Sequence, residues 1–519
     1  MKHTIPFSIY SIALLFLLAI NSQAKAQNQA QAQAQAQNWS SEQPNAIINL
    51  LIEGSVQHAE ALSYRLEPFS VPENIGRIEV TIEYEGKSEY AEIEIGLYDP
   101  ERFRGTSRFS KESFFVELHR ATASYHPGPI LPGKWNISLA FPTITQLTNY
   151  RISITMTPLN NPAYTGASDL VIQDEQRWYA GDFHTHTGHS DGFGCQNIKG
   201  ERGPCQVYQI VEAATRYNLD FVGIADHNTV SHHQDMTIIQ PLYPDLLLVR
   251  GVELTTYFGH ANIFGSSVPV DFRLGHEQWS FLDVQDEVER LGATVSLNHP
   301  GRKTGASCTG CGWNAPNTAY ERLQVIEIIN GTNVENEISG IPFWQNLLDQ
   351  GYKITGIGGS DDHGAGFGSA HPGIPTTMVY APELSEKSLL EAVKKGNVYL
   401  KTKGPDGPSL DWRIELGAES WQMGMNIPKQ ILQPDQDNAH GLRLLVEVEH
   451  EELQTVDIIH NNQILDLDCK ADRQSSVAGA VSWSCSLPDL DTGWIRLNLR
   501  EASTQEITAV ANPIYLGRN

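Results

Sequence analysis

Short stretches in which apolar and polar residues alternate dominate the N-terminal part of the chain. In 77–84 and 150–156, for example, every second residue is apolar, and turns rich in Pro and Gly separate such stretches. This period of two is typical of strands with one buried face, and it predicts an N-terminal β-sandwich over 39–165. The same pattern returns after residue 404 and predicts a C-terminal β-sandwich over 405–519.

The middle of the chain has a different pattern, because apolar runs alternate there with amphipathic stretches. The run 221–225 is short and apolar, which predicts a buried strand. The stretch before it carries apolar residues at the i, i+3, i+4 and i+7 positions of a helix, namely Val207, Ile210, Val211 and Ala214. Strands that alternate with helices over 169–403 predict an α/β domain, built as a parallel barrel or as a doubly wound sheet.

The N-terminus predicts export. It combines a basic start at Lys2, an apolar run over 7–20 and an Ala-x-Ala site that ends at Ala26. These features predict a signal peptide over 1–26 and a secreted or periplasmic protein. Residues 27–38 are an Ala/Gln-rich linker by composition. No other apolar run is long enough to span a bilayer, so we expect no stable membrane insertion after signal cleavage.

The net charge and the cysteine content indicate which partners and which cellular compartment suit the protein. The chain has 519 residues, with 36 Lys and Arg against 61 Asp and Glu, which gives a formal charge of −25. Such a charge repels polyanions, so we expect a small-molecule substrate and no nucleic-acid polymer.

The cysteines stand close together in pairs, which predicts the disulfides Cys195–Cys205, Cys308–Cys311 and Cys469–Cys485. A zinc site that joins the first four of these residues is one alternative, and a redox pair formed by Cys308 and Cys311 is another. The oligomeric state stays open.

Histidine and acidic residues follow most of the predicted central strands. They are His184, His186, Asp191, His227, Glu253, His260, His299, Asp361 and His363. Because functional groups of α/β barrels lie where strands end, we expect these side chains to meet. His184 and His186 are two residues apart on a strand, so both point to one face and suit one metal. Burying so many ionisable groups without a metal would cost on the order of several kcal/mol for each group, which favours a metal cluster.

An ordered set of motifs over about residues 182–399 resembles the PHP (polymerase and histidinol phosphatase) superfamily of metallohydrolases. The motifs are His-x-His with Ser-Asp-Gly, Asp-His-Asn, Gly-x-Glu, Asn-His-Pro and Ser-Asp-x-His. In their exported, Asp-bearing form they are similar to those of the carbaryl-hydrolase-related branch. The resemblance implies a distorted (β/α)7 barrel, flanked here by the two predicted sandwiches, and two or three metal ions.

The resemblance also implies the ligands of each metal. The ligands expected for the first metal are His184, His186 and Asp361. Those expected for the second are His299 and His260, with His276 as the rival of His260. Those expected for the third are Asp191, His227 and His363. Glu253 is expected to bridge the first and second metals, and Asp226 and Asp362 are expected to support ligands or cap helices.

The predicted function is a secreted phosphoesterase that uses a metal-bound hydroxide. Mixed imidazole and carboxylate ligands suit Zn²⁺, Mn²⁺ or Fe²⁺, so two or three of these ions are the predicted cofactors. Arg302 is the candidate to neutralise a phosphoryl oxygen, with Lys303 as the weaker one. His189 is a candidate acid for the leaving group. The pair His232–His233 is another, although a surface loop is the favoured interpretation of that pair.

Two other functions remain open. The resemblance admits a carbamate or carboxylic ester hydrolase that uses the same metal site. A non-catalytic binding protein that contains metal is the second alternative. It is disfavoured because no motif position has decayed to Ala or Gly.

Overall fold

The structure, a computed structural model, describes residues 45–107, 111–305, 310–432, 441–472 and 480–518. The predicted signal peptide (1–26) and linker (27–38) lie outside these ranges. The chain divides between Tyr164 and Thr165 into two compact units. The domain bounds drawn from the sequence stay predictions.

The described part of the N-terminal unit contains eight strands. They are β1 (Ile48–Val56), β2 (Tyr64–Val71), β3 (Ile75–Tyr84), β4 (Ala91–Tyr98), β5 (Phe103–Thr106), β6 (Ser113–Glu117), β7 (Gly133–Ile144) and β8 (Thr148–Pro158). They pair as two antiparallel four-stranded sheets, in the orders β1-β8-β3-β6 and β2-β7-β4-β5. In β3 the apolar residues Ile78, Val80 and Ile82 are buried and Glu79 is exposed, so the period of two places one face in the core.

The second unit contains strands throughout its length. Up to residue 403 they are β9 (Arg177–Thr185), β10 (Cys195–Gln196), β11 (Arg202–Gly203), β12 (Phe221–Ile224), β13 (Leu247–Thr256), β14 (Gly259–Phe264), β15 (Thr294–Asn298), β16 (Val325–Asn330), β17 (Thr355–Gly359), β18 (Thr376–Ala381) and β19 (Val398–Lys401). The later strands are β20 (Ser409–Leu416), β21 (Glu419–Trp421), β22 (Asn426–Ile427), β23 (Arg443–Glu449), β24 (Gln454–His460), β25 (Gln463–Leu465), β26 (Cys469–Asp472), β27 (Ala480–Ser486), β28 (Gly493–Glu501), β29 (Ile507–Ala511) and β30 (Ile514–Leu516).

The helices are short and lie mostly between the central strands. They are α1 (Pro162–Thr165), α2 (Val207–Arg216), α3 (His232–Ile239), α4 (Phe281–Leu291), α5 (Ile341–Asp349), α6 (Glu386–Lys394) and α7 (Lys429–Leu432). The predicted helix with Val207, Ile210, Val211 and Ala214 is α2, and all four side chains are buried. Within the described ranges, no helix has both the length and the apolar character that a membrane crossing requires.

The predicted α/β class, a distorted (β/α)7 barrel, is wrong. Strand makes up 42% and helix 15% of the structure, and several sheets are antiparallel. The central strands belong to a 15-stranded sheet in which β13, β14 and β15 pair antiparallel, as do β9, β18 and β19. Parallel pairing occurs between β9, β12 and β13 and between β15, β16 and β17. Apolar runs predict strands but not their direction, and here a hairpin joins β13 to β14 where a parallel barrel needs a helical crossover.

The large sheet continues into the C-terminal strands. Strand β19 pairs with β29, and β29 pairs with β28. A separate five-stranded sheet has the order β21-β20-β23-β27-β26. Its buried Trp412 belongs to the same apolar core as Met378 and Tyr399 of the central strands. The central and C-terminal segments therefore share one core.

The structure contains two of the predicted disulfides, Cys195–Cys205 and Cys469–Cys485. The zinc alternative is wrong, because Cys195 and Cys205 are bonded to each other. Cys311 is also disulfide-bonded, and its predicted partner Cys308 lies outside the described residues. Disulfides of this kind are consistent with an extracellular or periplasmic protein.

Candidate metal centre

The ends of β9 and β17 bring the first predicted ligands together. His184 lies near the end of β9, and His186 follows the strand directly. The backbone N–H of His186 donates to the carbonyl of Asp362 over 2.9 Å, and the N–H of Asp361 donates to the carbonyl of His184 over 2.8 Å. These two hydrogen bonds hold the turn after β17 against the end of β9, which places a carboxylate beside two imidazoles.

The first group of ligand atoms is fully buried and joins His184, His186 and Glu253. The two Nε2 atoms lie 3.0 Å apart, and each lies 3.4 Å from Glu253 Oε2. Asp361 Oδ1 lies 3.1 Å from the Nε2 of His186 and 3.5 Å from that of His184. The residues predicted for the first metal therefore surround one small volume.

A second buried group joins Glu253, His260 and His299. Glu253 Oε1 lies 3.2 Å from His260 Nδ1 and 3.3 Å from His299 Nε2, and it accepts a hydrogen bond from Asn298 over 2.9 Å. Glu253 thus presents one oxygen to each of the first two groups, as a bridging carboxylate would. His260 takes part in this group, whereas its rival His276 has a side chain that is 55% exposed and lies outside it.

A third group joins His186, Asp191, His227 and His363 at the more open side of the centre. Asp191 Oδ1 lies 3.2 Å from His363 Nε2 and 3.4 Å from His227 Nε2. The His186 ring stacks on the ring of His227 at a centroid distance of 4.4 Å and on that of His363 at 4.1 Å. The side chain of Asp191 is 60% exposed, so this group is the one that solvent reaches.

The spacing of the ligand atoms fits divalent ions. Metal–ligand bonds of about 2.1 Å place neighbouring ligand atoms roughly 3.0–3.4 Å apart in octahedral and tetrahedral geometry. The first group shows separations of 3.0–3.5 Å between its ligand atoms. The facing Nε2 atoms of His184 and His186 lie too close for both to carry a proton, so at least one of them presents a lone pair to the centre. These buried groupings could therefore hold metal ions.

Sequence reasoning missed Glu327, which orients a ligand. Its Oε2 lies 2.7 Å from His184 Nδ1, and its Oε1 accepts from the backbone N–H of His299 and the side chain of Asn330. Because Nδ1–H donates to a carboxylate, the lone pair of Nε2 is directed towards the other ligand atoms of the first group. The available signal was an acidic residue inside the apolar strand Val325–Asn330, of which every residue is buried.

Backbone carbonyls orient two further imidazoles in the same way. The Nδ1 of His299 donates to the carbonyl of Cys311 over 2.9 Å. The Nδ1 of His363 donates to the carbonyl of Asp361 over 2.8 Å. Each bond fixes the ring and leaves Nε2 facing a carboxylate of the centre, which is the usual arrangement around a metal-binding histidine.

The carboxylates of the centre attract positive charge. Burial disfavours the charged form of His227, but hydrogen bonds to Asp191 and Glu253 outweigh burial and raise the pKa of His227 to about 10. The pKa of His184 is also raised, since buried carboxylates outweigh its burial. By contrast, burial lowers the pKa of His186 to about 4. A cluster that draws protons onto its histidines at neutral pH draws a divalent cation in their place.

The backbone is strained at three positions around the centre. Asn228, His299 and Asp361 have φ values of 54°, 30° and 56°. This left-handed region is uncommon for residues other than glycine. Such conformations persist where the surrounding structure enforces them, and they cluster at functional sites.

Asp226 and Asp362, the acids predicted to support ligands, lie outside the three groups and accept hydrogen bonds from backbone N–H groups. Asp226 Oδ1 accepts from the N–H of Thr187 over 2.8 Å. Asp362 accepts from the N–H groups of Gly364 and Gly366 over 3.2 Å and 3.1 Å. Both carboxylates thereby shape the loops that carry the ligands.

The two predicted basic residues differ in position. Arg302 donates through Nη2 to Asn330, and the same nitrogen lies 3.5 Å from Asp361 Oδ2 at the edge of the first group. The Lys303 side chain is 74% exposed and pairs with Glu337 over 2.6 Å. Only Arg302 of these two therefore adjoins a ligand among the described residues.

The candidate acids do not join the ligand groups. Both ring nitrogens of His189 are engaged, one by Ser231 and one by Asp235, so its proposed role as an acid stays a prediction. The surface-loop interpretation of His232 and His233 is wrong, because both side chains are fully buried at the start of α3. Their Nε2 atoms donate to the carbonyl of Gly251 over 3.0 Å and 3.1 Å, which satisfies them inside the fold.

A cavity of about 310 Å³ adjoins the third group. It is lined by the predicted ligands Asp191, Asp361 and His363 together with Arg202, Phe193 and Phe367.

The chain was compared with family models and with curated proteins. No family model matches the chain, and no curated protein matches it.

Proposed function

We propose that this protein is a multinuclear metal-dependent hydrolase, and that small phosphoesters are its main substrates. The observation that carries this proposal is the sharing of Glu253 and His186 between three neighbouring ligand groups. Ions about 3.5–4 Å apart are typical of enzymes that hydrolyse phosphoesters. The motifs that resemble the PHP superfamily support the same chemistry, whereas the barrel implied by that resemblance is not part of the proposal.

Two or three divalent ions, drawn from Zn²⁺, Mn²⁺ and Fe²⁺, are the proposed cofactors. The proposed holders of the first ion are His184, His186, Asp361 and Glu253. Those of the second are Glu253, His260 and His299. Those of the third are Asp191, His227 and His363. Such ions supply Lewis acidity and lower the pKa of coordinated water to near neutrality.

Arg302 is the proposed stabiliser of negative charge on the substrate. Its Nη2 is held by Asn330 and lies 3.5 Å from Asp361 Oδ2, so its positive charge stands at the edge of the ligand cluster. A phosphoryl group gains negative charge density on its oxygens as it reacts, and a fixed donor there stabilises that state. A neutral ester needs this cation less.

The cavity beside the third group is the proposed substrate site. Its volume of about 310 Å³ lies at the lower end of the range for small-molecule pockets. Arg202 lines this cavity together with the predicted ligands Asp191 and His363. A small ester with one acidic group fits such a site, and the charge of −25 on the whole chain disfavours a long polyanion.

A carbamate or carboxylic ester hydrolase is the second candidate, and the aromatic lining of the same cavity favours it. Phe193 and Phe367 are 55% and 49% exposed and both line the cavity. Exposed phenyl rings at a cavity offer apolar contact to an aryl leaving group. This candidate uses the same ligand groups and leaves Arg302 without a role in charge stabilisation.

A substrate panel separates these candidates. Metal-loaded protein is assayed with nitrophenyl phosphate, bis-nitrophenyl phosphate, nitrophenyl acetate and naphthyl methylcarbamate. The phosphoesterase proposal expects Arg302→Ala to lower kcat/KM for the phosphoesters by about 10²–10³. The matched control Lys303→Ala removes the adjacent exposed cation and leaves turnover near that of the wild type.

The contrary outcomes are distinct. Ester or carbamate cleavage that greatly exceeds phosphoester cleavage, and is unchanged in Arg302→Ala, supports the second candidate and refutes the first. Fully loaded protein that turns over none of the four substrates favours the non-catalytic binding protein.

Export belongs to the same proposal. The predicted signal peptide would be cleaved after Ala24 or Ala26, and the disulfide Cys195–Cys205 is consistent with an oxidising compartment. Mass spectrometry of the exported protein should find a mature N-terminus at one of these sites. An intact Met1 would contradict cleavage.

A further inference from the structure

A second cavity, of about 590 Å³, lies in the second unit, and none of the residues of the three ligand groups lines it. Helix α5 lines one side of it, and strands β24, β25 and β28 line the other. Strand β28 contributes Arg496, Asn498 and Arg500, which share a face because they are spaced by two residues. In the neighbouring strand, Asp457 is opposite Asn498 and Ile459 is opposite Arg496.

Arg496 is the unusual residue of this cavity. Its relative exposure is 2% although it lines the cavity wall. Its Nη1 donates to Asn498 Oδ1 over 2.6 Å, while its buried Nε has no hydrogen-bond partner within the described part of the chain. The guanidinium lies over the ring of Trp344, with 5.5 Å from Cζ to the ring centroid. A neutral amide and an aromatic face are thus its close partners.

The acidic residues nearby are already paired. Asp457 Oδ2 lies 2.6 Å from Arg500 Nε, and Glu335 Oε1 lies 2.8 Å from Arg500 Nη2. The described residues include no carboxylate within ion-pair distance of Arg496. Burial lowers the pKa of Arg496 to about 9 and outweighs the opposing charge of Asp457. The charge of this buried arginine is therefore not compensated by the protein.

An uncompensated buried charge is costly, and an apolar side chain of similar size would stabilise the fold more. A ligand that supplies the missing negative charge removes this cost. Part of the remaining wall is apolar and consists of Val334, Ile341, Pro342, Ile459, Ile464 and Ile507. The ligand that suits both features has one negative charge and an apolar body.

We propose that this cavity binds a small monocarboxylate whose carboxylate pairs with Arg496 and whose apolar body contacts Ile459 and Ile464. Guanidinium and carboxylate form short, charge-assisted hydrogen bonds in matched planar geometry. A doubly charged phosphate is a poorer fit, because Glu335 and Asp349 also line the cavity. This site is independent of the proposed hydrolase function.

Calorimetric titration of the full exported protein tests the site. The probes are benzoate and butyrate, and the neutral analogues benzamide and butyramide are their controls. We expect the acids to bind at least tenfold more tightly than the amides. Arg496→Gln should weaken benzoate binding at least tenfold. The control Arg413→Gln, which removes a strand arginine that pairs with Glu415 outside the cavity, should leave it unchanged.

Two substitutions at one exposed wall residue, one charged and one neutral, test the proposal even if Arg496→Gln fails to fold. Ile464 is 68% exposed, so both Ile464→Glu and Ile464→Gln should fold. The Glu variant should bind benzoate several-fold more weakly than the Gln variant, because it adds a negative charge at the cavity. Equal binding by these two variants, equal binding of acids and amides, or no binding of either acid would overturn the proposal.

Discussion

Replacing Glu253 by Gln is the sharpest perturbation of the metal centre. The change keeps the shape of the side chain but removes its charge and converts one oxygen into a donor. Glu253 Oε2 lies 3.4 Å from the Nε2 atoms of His184 and His186, and Oε1 lies 3.2 Å and 3.3 Å from nitrogens of His260 and His299. A single substitution therefore disturbs two of the three ligand groups.

The expected magnitude follows from this double role. Loss of one group that supports a metal ligand costs about 10–100-fold in metal affinity. Because Glu253 serves two groups, we expect affinity and turnover to fall by more than about 10²-fold, which corresponds to roughly 2.8 kcal/mol. The metal content should drop by up to two ions per chain.

The assay is elemental analysis after equilibrium dialysis against the metal, together with turnover of nitrophenyl phosphate. Glu386→Gln is the matched control, since Glu386 is equally buried but pairs with Arg250 outside the centre. That control should lower thermal stability and leave the metal content unchanged. A Glu253→Gln protein with full metal content and wild-type turnover would refute the bridging role.

Three further predictions concern the same centre. Glu327→Gln should reduce metal affinity about 10–100-fold with little change in thermal stability, because it loosens the His184 ring; titration calorimetry that finds wild-type affinity would contradict this. In metal-free protein, His227 has a pKa of about 10 against about 6.5 in the unfolded chain. The contribution of its proton to the free energy of unfolding is therefore complete below pH 6.5 and is lost as pH rises through 10. Stability to urea should therefore fall by about 1.4 kcal/mol per pH unit for this proton, and a flat profile would argue against the pairing. Replacing Cys195 and Cys205 by Ser should lower the metal content by one ion at the third group, because the backbone N–H of the disulfide-bonded Cys205 donates to the carbonyl of Gly192, next to Asp191; an unchanged count would show that the disulfide does not support Asp191.

Much of the candidate site follows from the sequence, because metal ligands need particular side chains at strand ends. The pair His184 and His186 shows this, since a spacing of two on a strand places both imidazoles on one face. Glu327 escaped prediction because it lies inside a strand, where an isolated acid is usually read as a salt-bridge partner. His232 and His233 were misassigned because their polarity suggests exposure, whereas in the interior the carbonyl of Gly251 accepts hydrogen bonds from the Nε2 atoms of both.

The fold was harder to predict than the site. The run 246–249 predicts a strand, but nothing in its composition tells whether a helix or a hairpin follows. In the structure β13 turns directly into β14, and Gly259 adopts a φ of 145° at the start of the second strand. The tight turn reverses the chain and makes this part of the sheet antiparallel. Strand direction therefore depends on turns and on tertiary pairing that an apolar pattern does not record.

The central claim is that the chain holds several divalent ions at these ligand groups and uses them for hydrolysis. The most direct test strips the exported protein with a chelator and then measures bound metal and nitrophenyl phosphate turnover in parallel as Zn²⁺, Mn²⁺ or Fe²⁺ is added. The account predicts two or three bound ions per chain and turnover that rises with occupancy. Protein that binds no divalent ion, or whose turnover is independent of bound metal, would contradict it.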